Sequence, residues 1–215
     1  MARASILLIP LLLGTVAFLG VRNAGFEQWL SRNASGAPLQ LSGWPRDLSW
    51  QDFQSLKFAP RGRPQYAAEI RSGFGLSEGT QLAPTLRDGR WRFEHGTVYV
   101  QMMSNHSWVS EEHRSPRVLE HEQMHFDITG LAAQEWLDEL RRIDAASLPE
   151  AVDAGRRSFE RVQRKLRLVQ RLFDHADRGR AEAHAEWLER LARLKRSGER
   201  LPEPGELPGF SALGG

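Results

Sequence analysis

Cysteine is absent from the 215 residues of this chain. Its absence excludes a disulfide framework, a thiolate metal site, a cysteine nucleophile and a lipid-modified cysteine behind the N-terminal apolar run. Lysine is nearly absent too, since it occurs only at Lys57, Lys165 and Lys195, so arginine supplies most of the positive charge. The formal net charge is only +2. Composition therefore predicts a mixed-charge solvated surface and no nucleic-acid partner.

The N-terminus also lacks an apolar run of full membrane-spanning length. Residues Ile6 to Gly20 are almost wholly apolar, whereas a spanning helix needs about 20 such residues. Pro10 and Gly14 further weaken a membrane helix there. We predict that residues 1–24 form a signal peptide, or an N-terminal anchor if residues 5–20 are retained in the membrane. The chain would then be exported to the periplasm, or be held at the inner membrane facing the periplasm.

The rest of the chain divides by pattern into an entry, a domain and a tail. Residues 25–45 carry Gly, Ser, Asn and Pro without periodicity, which predicts a linker. Residues 46–196 form the predicted domain. Its first part, to about residue 103, alternates apolar and other residues in strand fashion, as at Tyr66, Ala68 and Ile70. Residues 197–215 hold several Gly and Pro and few apolar residues, which predicts a disordered tail.

Helical periodicity replaces the alternation after Ser110. Ser115 followed by Pro116 is a good helix start, and this helix should run to about Arg142 and pack through Ile128, Leu131 and Trp136. A second helix opens at Ser147 and carries a regularly spaced apolar stripe. The residues of that stripe are Phe159, Val162, Leu166, Val169 and Phe173. Gly179 interrupts it, and a third helix follows with His184, Trp187, Leu188, Leu191 and Leu194 on one side. The predicted fold class is therefore α+β, with a small, mostly antiparallel sheet followed by three helices.

The pattern that carries chemistry is His121-Glu122-Gln123-Met124-His125. Side chains four residues apart on a helix lie one above the other, so His121 and His125 can reach a single metal ion. Glu122 flanks that site and can accept a proton from a water bound to the ion. Zinc lowers the pKa of such a water to about 7 and polarises a carbonyl. We predict Zn²⁺ as the cofactor, His121 and His125 as ligands, and Glu122 as the catalytic base.

A zinc site of this kind needs a third protein ligand, and three residues compete for that role. Asp177 falls on the apolar side of the second helix, where a carboxylate is costly to bury unless it is paired or ligating. His184 lies on the inward face of the third helix, and His175 points away from the stripe. A hydrogen-bonded core histidine remains the plainer interpretation of His184. Asp127, two residues after His125, faces away from the metal and is predicted to make a structural hydrogen bond.

Several runs of residues resemble a bacterial family of predicted secreted zinc-dependent proteases, a domain of unknown function. The most specific run is Leu119 to Ile128, which contains the His-Glu-x-x-His motif, and three weaker runs occur in the right order. These are Leu48 to Phe53, Ala67 to Glu69, and Ser107 to Val109. The resemblance covers roughly residues 46–192 and implies a zincin-like fold and a peptide or protein substrate.

The second block of that family is altered in this chain. Phe173-Asp174 stands for the family's Tyr-Asp, Trp187 for its Trp and His184 for its Gln, while its Thr-x-His-Gly signature is absent. Asp177 falls where the family has either the ligand histidine or the threonine, depending on the direction of counting. The resemblance therefore implies His121, His125 and Asp177 as the metal ligands, with His184 as the alternative third ligand.

Two main functions follow from these observations. The first is an exported zinc metallopeptidase, with the strand over residues 97–103 as an edge along which an extended peptide could lie. The second is a non-catalytic cell-envelope module that keeps the fold, with or without the metal. The intact Glu122 favours the peptidase, and the altered second block favours the module. Metal storage or delivery is a third hypothesis, which predicts weakly held metal and no role for Glu122.

Overall fold

The computed structural model describes residues 37–60, 66–76, 82–178 and 180–207. The predicted signal peptide or anchor, the first part of the predicted linker and the last eight residues lie outside this range, as does Gly179. Within the described residues, no helix combines the length and the hydrophobicity that crossing a bilayer requires.

Nine short strands in the described residues form three sheets of three strands each. Four of the six strand pairings are antiparallel and two are parallel. One sheet has the order β1-β7-β4, the second β2-β8-β3 and the third β5-β6-β9. The strands are β1 Gln40–Ser42, β2 Gln54–Leu56, β3 Ala68–Glu69, β4 Ser72–Leu76, β5 Thr85–Arg87, β6 Arg90–Arg92, β7 Thr97–Met102, β8 Trp108–Ser110 and β9 Asp144–Ala145.

The first two sheets are consecutive parts of one interrupted antiparallel pairing. Strand β3 pairs with β8 and the next strand β4 pairs with β7, so the partners follow in reverse order, as one antiparallel pairing requires. At the break, the Met103 N–H donates to the Arg71 carbonyl over 2.7 Å, and the Arg71 N–H donates to Ser107 Oγ over 2.9 Å. The sequence predicts a single small sheet. The structure divides it at Arg71, where the Ser107 hydroxyl takes the place of a backbone carbonyl as the acceptor.

Strand β7 lies at the centre of its sheet. Strand β1 covers one side of β7 and β4 covers the other. A peptide cannot add to a strand whose two sides are both paired, because no backbone donors and acceptors remain free. The prediction that residues 97–103 offer an edge to a substrate is therefore wrong for Val98 and Tyr99, which pair with both neighbouring strands.

Three α-helices complete the described fold: α1 Pro116–Arg141, α2 Leu148–Asp177 and α3 Ala181–Ser197. The predicted starts of the first two helices are confirmed. Ser115 Oγ accepts the Val118 N–H over 3.3 Å, and Ser147 Oγ accepts the Glu150 N–H over 3.3 Å. These bonds satisfy donors that a helix leaves unpaired in its first turn. The α+β class with a mostly antiparallel arrangement of strands and three helices is thus present.

Helix α1 runs through the middle of the core, between the sheets and the other helices. Ile128, Leu131 and Trp136 are buried, as predicted for its packing face. All five residues of the apolar stripe on α2 are buried too. Helix α1 therefore has little exposed surface in its second half, so polar groups on its buried part need partners from neighbouring elements.

Both ends of the described chain belong to the fold. Leu39 is buried and residues 40–42 form β1, so the predicted linker is wrong from about residue 38 onward. Leu201 and Leu207 are buried as well, so the predicted disorder is wrong for residues 199–207. Isolated apolar residues among Gly and Pro have no periodicity, and only the tertiary structure brings them to a surface that they can cover.

A buried ion pair attaches the C-terminal segment to the helices. Lys165 Nζ of α2 lies 3.1 and 3.0 Å from the two carboxylate oxygens of Glu135 on α1, and 2.8 Å from Glu203 Oε1. Lys165 and Glu135 are both buried. The ammonium group therefore exchanges its water shell for two carboxylates from separate elements.

Candidate metal centre

His121 and His125 lie one turn apart on α1 and point at the same place. Their Nε2 atoms are 3.1 Å apart. His125 is fully buried, whereas 16% of the His121 side chain is exposed. Two imidazole nitrogens at this distance can share one proton in a hydrogen bond, or bind one cation when both present lone pairs.

Asp174 of α2 brings a carboxylate oxygen to the same place. Its Oδ1 lies 2.9 Å from His125 Nε2 and 3.7 Å from His121 Nε2. This oxygen is buried and, among the described residues, receives no hydrogen bond of acceptable geometry. An ion with tetrahedral bonds of 2.0–2.1 Å separates its ligand atoms by about 3.4 Å. The three observed separations bracket that value, so these residues fit a zinc ion.

The other ring nitrogen of each histidine faces a protein acceptor. His121 Nδ1 lies 2.6 Å from Asp177 Oδ2, and His125 Nδ1 faces Gln170 Oε1. The Gln170 amide is oriented by its own donors, which bond the His125 carbonyl over 2.9 Å and Thr129 Oγ1 over 3.2 Å. An acceptor at Nδ1 holds the proton there and leaves the Nε2 lone pair free for a metal.

Asp177, the third ligand predicted from the sequence, is close to His121 but on the wrong side of its ring. It meets Nδ1, whereas the metal-facing atom shared with His125 is Nε2. The described residues contain two groups that could hold a metal: one joins His121 and His125 to Asp174, and the other joins His121 to Asp177 and His184. The geometry thus favours Asp174 over Asp177 as the third ligand. His175 belongs to neither group.

Glu122 is almost completely buried beside the two histidines. Its Oε2 accepts the backbone N–H of Ile70 over 2.8 Å, which ties α1 to the link between β3 and β4. Burial raises the pKa of this carboxyl group, and the neighbouring His121, His125 and Ile70 only partly offset that effect. A carboxylate with a raised pKa is suited to accept a proton near neutral pH.

Phe173 forms the apolar wall of the site. Its ring centroid lies 4.7 Å from that of His121, with the two planes inclined by 28°, and 4.7 Å from that of His125. Phe173 is itself fully buried and contacts Trp187 of α3. The ring therefore fixes the plane of the His121 imidazole and keeps water from one side of the ligand atoms.

Asp127 points away from the site and has the structural role predicted for it. It accepts hydrogen bonds from Trp44 Nε1 over 2.9 Å and from Lys195 Nζ over 2.8 Å. Gln123 Nε2 is a third donor at 3.3 Å. One carboxylate on α1 thus holds both the N-terminal loop and α3.

Asp174 and Gln170 are the site residues that sequence reasoning missed. Gln170, Asp174 and Asp177 stand at positions i, i+4 and i+7 of α2, so they share one side of the helix. This polar row lies next to an apolar stripe, a position at which polar side chains need partners. The spacing was visible in the sequence, but the identity of the opposing helix was not.

The His121 environment predicts how the stability of the metal-free protein depends on pH. Burial alone would lower the pKa of His121, but the neighbouring carboxylates of Asp174, Asp177 and Glu122 raise it from 6.5 to about 9. A raised pKa stabilises the fold fully below about pH 6.5, and this contribution is lost as the pH rises through 9. We expect the free energy of unfolding to fall by about 3 kcal/mol over that range.

Urea unfolding in the presence of a chelator, at pH 6 and pH 9.5, measures this difference. His121→Gln cannot bind the extra proton, so it is the matched control and should lack the His121 share of the loss. An equal pH dependence in the wild type and in this variant would contradict the prediction.

Comparison of the chain with protein families, with curated proteins and with solved structures finds no match. The function must therefore be argued from the residues and their geometry.

Proposed function

We propose that this chain is a zinc-dependent metallopeptidase of zincin-like fold that acts outside the cytoplasm. His121, His125 and Asp174 are its metal ligands and Glu122 is its general base. The observation that carries the proposal is the convergence of His121 Nε2, His125 Nε2 and Asp174 Oδ1 on one point, at separations of 2.9 to 3.7 Å. The apolar segment over residues 6–20 supports export.

The donor set supports a catalytic zinc site more than a purely structural one. Catalytic sites use three protein ligands and keep one position open, whereas structural sites are closed by four. The exposed fractions of His121 and Asp174, 16% and 15%, put the solvent-facing side of the site next to these two ligands. When bound there, zinc would polarise a substrate carbonyl and lower the pKa of water.

Glu122 is placed to move the proton. Its Oε2 is occupied by the Ile70 N–H, which orients the carboxylate and leaves Oε1 to accept a proton from water. The raised pKa brings its proton affinity towards that needed near neutral pH. The same residue could then return the proton to the amine of the leaving group.

The alternative is a non-catalytic cell-envelope module that keeps the fold and the metal. The observation that favours it is the hydrogen bond from Ile70 to Glu122, because a carboxylate that joins α1 to the strands has a structural reason to be present. The two functions predict different consequences of changing Glu122.

Glu122→Gln distinguishes the two functions. The glutamine keeps an oxygen for the Ile70 N–H but cannot act as a base, so the fold and the zinc content should persist. Hydrolysis of a mixed peptide library, followed by mass spectrometry, should fall by about 100-fold or more. The matched control is Glu112→Gln, which changes an exposed carboxylate on the connection before α1 and should leave hydrolysis unchanged.

Unchanged hydrolysis in Glu122→Gln would overturn the peptidase proposal. Wild-type protein that binds one zinc ion but cleaves no peptide would support the envelope module instead. Wild-type protein that binds no zinc after loading at neutral pH would overturn the metal site itself.

A further inference from the structure

A chain of hydrogen bonds runs from the protein surface to the imidazole of His121. Glu120 Oε2 lies 2.6 Å from His184 Nε2, and His184 Nδ1 lies 3.0 Å from Asp177 Oδ1. Asp177 Oδ2 lies 2.6 Å from His121 Nδ1. The four residues come from all three helices. Glu120 is exposed at the surface, whereas His184 and Asp177 are buried.

Nitrogen and oxygen alternate along this chain, which distinguishes it from the group around Asp174. Every ring nitrogen in it faces a carboxylate oxygen, so each contact is an N–H···O hydrogen bond when the His184 ring carries a proton on both nitrogens. In the group of His121, His125 and Asp174, by contrast, two ring nitrogens face each other. Asp174 Oδ1 receives no hydrogen bond of acceptable geometry from the described residues. Hydrogen bonds therefore account for His184 and Asp177 without a metal, but they do not account for the convergence at His125.

Asp177 needs external support because it is the last residue of α2. Terminal turns of helices fray, and a carboxylate there would not by itself hold a fixed position. His184 in the first turn of α3 supplies the support, and Arg117 Nη2 of α1 adds a contact to Asp177 Oδ1 at 3.4 Å. The docking of α3 thus determines where the Asp177 carboxylate lies.

We propose that His184 is a positioning residue for the metal centre and acts through Asp177. It holds Asp177 so that the other carboxylate oxygen keeps the His121 proton on Nδ1 and turns Nε2 towards the ion. Phe173 already sets the plane of the His121 ring, so Asp177 sets which edge of the ring faces the metal. This inference rests on the proposed zinc site and adds that α3 helps to determine its affinity.

Zinc affinity, measured by competition with a chromophoric chelator, tests this inference on the full chain. Removal of an outer partner of a ligand costs about 10- to 100-fold in affinity, and we expect this loss for His184→Leu. His184→Gln still offers an N–H to Asp177 and should keep most of the affinity. The control Lys195→Met breaks another contact between α3 and α1, at Asp127, and should bind zinc as the wild type does.

The visible spectrum of the cobalt-substituted protein gives a second readout. A positioning role predicts that His184→Leu keeps the intense bands of a four-coordinate site, slightly shifted. Loss of those bands in both His184→Leu and His184→Gln would identify His184 as a ligand and overturn the inference.

Three other results would also overturn it: wild-type affinity in His184→Leu, an equal loss in Lys195→Met, or no recovery in His184→Gln. In each of these cases the proposed zinc site still stands if the wild-type protein binds one zinc ion. Absence of zinc from the wild type would remove the proposed function together with this inference.

Discussion

Asp174→Ala is expected to lose zinc binding almost entirely. The affinity should fall by more than about 100-fold, which exceeds the usual loss when a residue that only hydrogen-bonds a metal ligand is removed. Among the described residues, the variant removes the only carboxylate oxygen that lies near both Nε2 atoms. Asp177→Ala should retain a measurable site, weakened by about 10- to 100-fold, because it removes the acceptor at His121 Nδ1 and no ligand. Elemental analysis and chelator competition on the two variants measure the difference.

Asp153→Ala is the matched control for both variants. Asp153 lies on the same helix, is exposed, and pairs with Arg156 at 3.4 Å, so its removal should not change zinc binding. Circular dichroism should show equal helix content in all three variants. If Asp177→Ala abolishes binding while Asp174→Ala preserves it, Asp177 is the ligand, as predicted from the sequence, and the geometric assignment is wrong.

Lys165→Met is expected to destabilise the protein by about 3–5 kcal/mol, because it leaves the carboxylate of Glu135 buried without its cation. Burial already raises the pKa of Glu135, and Lys165 offsets that effect. Loss of Lys165 also frees Glu203, which anchors the segment that carries Leu201 and Leu207. Denaturant unfolding measures the change, which corresponds to a fall in Tm of roughly 10 °C for a chain of this size.

Replacing both buried partners separates the charge effect from packing. In Lys165→Met combined with Glu135→Leu no buried charge remains unpaired, so most of the stability should return. The cost of the single variant should also shrink at acidic pH, where Glu135 can take up a proton. Arg156→Met, which breaks exposed ion pairs on the same helix, should change stability by less than about 1 kcal/mol. A loss in Lys165→Met no larger than in Arg156→Met would contradict the prediction.

Local features of the sequence determined where the helices begin and how His121 and His125 stand relative to each other. The caps at Ser115 and Ser147 are correct because a capping hydroxyl and a proline in the first turn both act within one turn of helix. The spacing of His121 and His125 brings their Nε2 atoms together because residues four apart share a helix face. The same geometry places Asp127, two residues after His125, on another side of the helix, where it accepts a hydrogen bond from Trp44.

The tertiary structure decided the features that depend on distant pairs. The resemblance pointed to Asp177 because it aligns residues by their position along the chain. The structure shows that Asp177 lies at Nδ1 of His121, whereas Asp174 lies on the Nε2 side, a difference that position along the chain does not reveal. The central place of β7 and the docking of Leu39, Leu201 and Leu207 likewise arise from contacts between separate elements. Periodicity reports which side of an element is buried, but not which element covers it. For this protein, the sequence by itself determined where His121, Glu122 and His125 stand on one helix, and only the packing of α2 and α3 against that helix decided which carboxylate faces the two histidines.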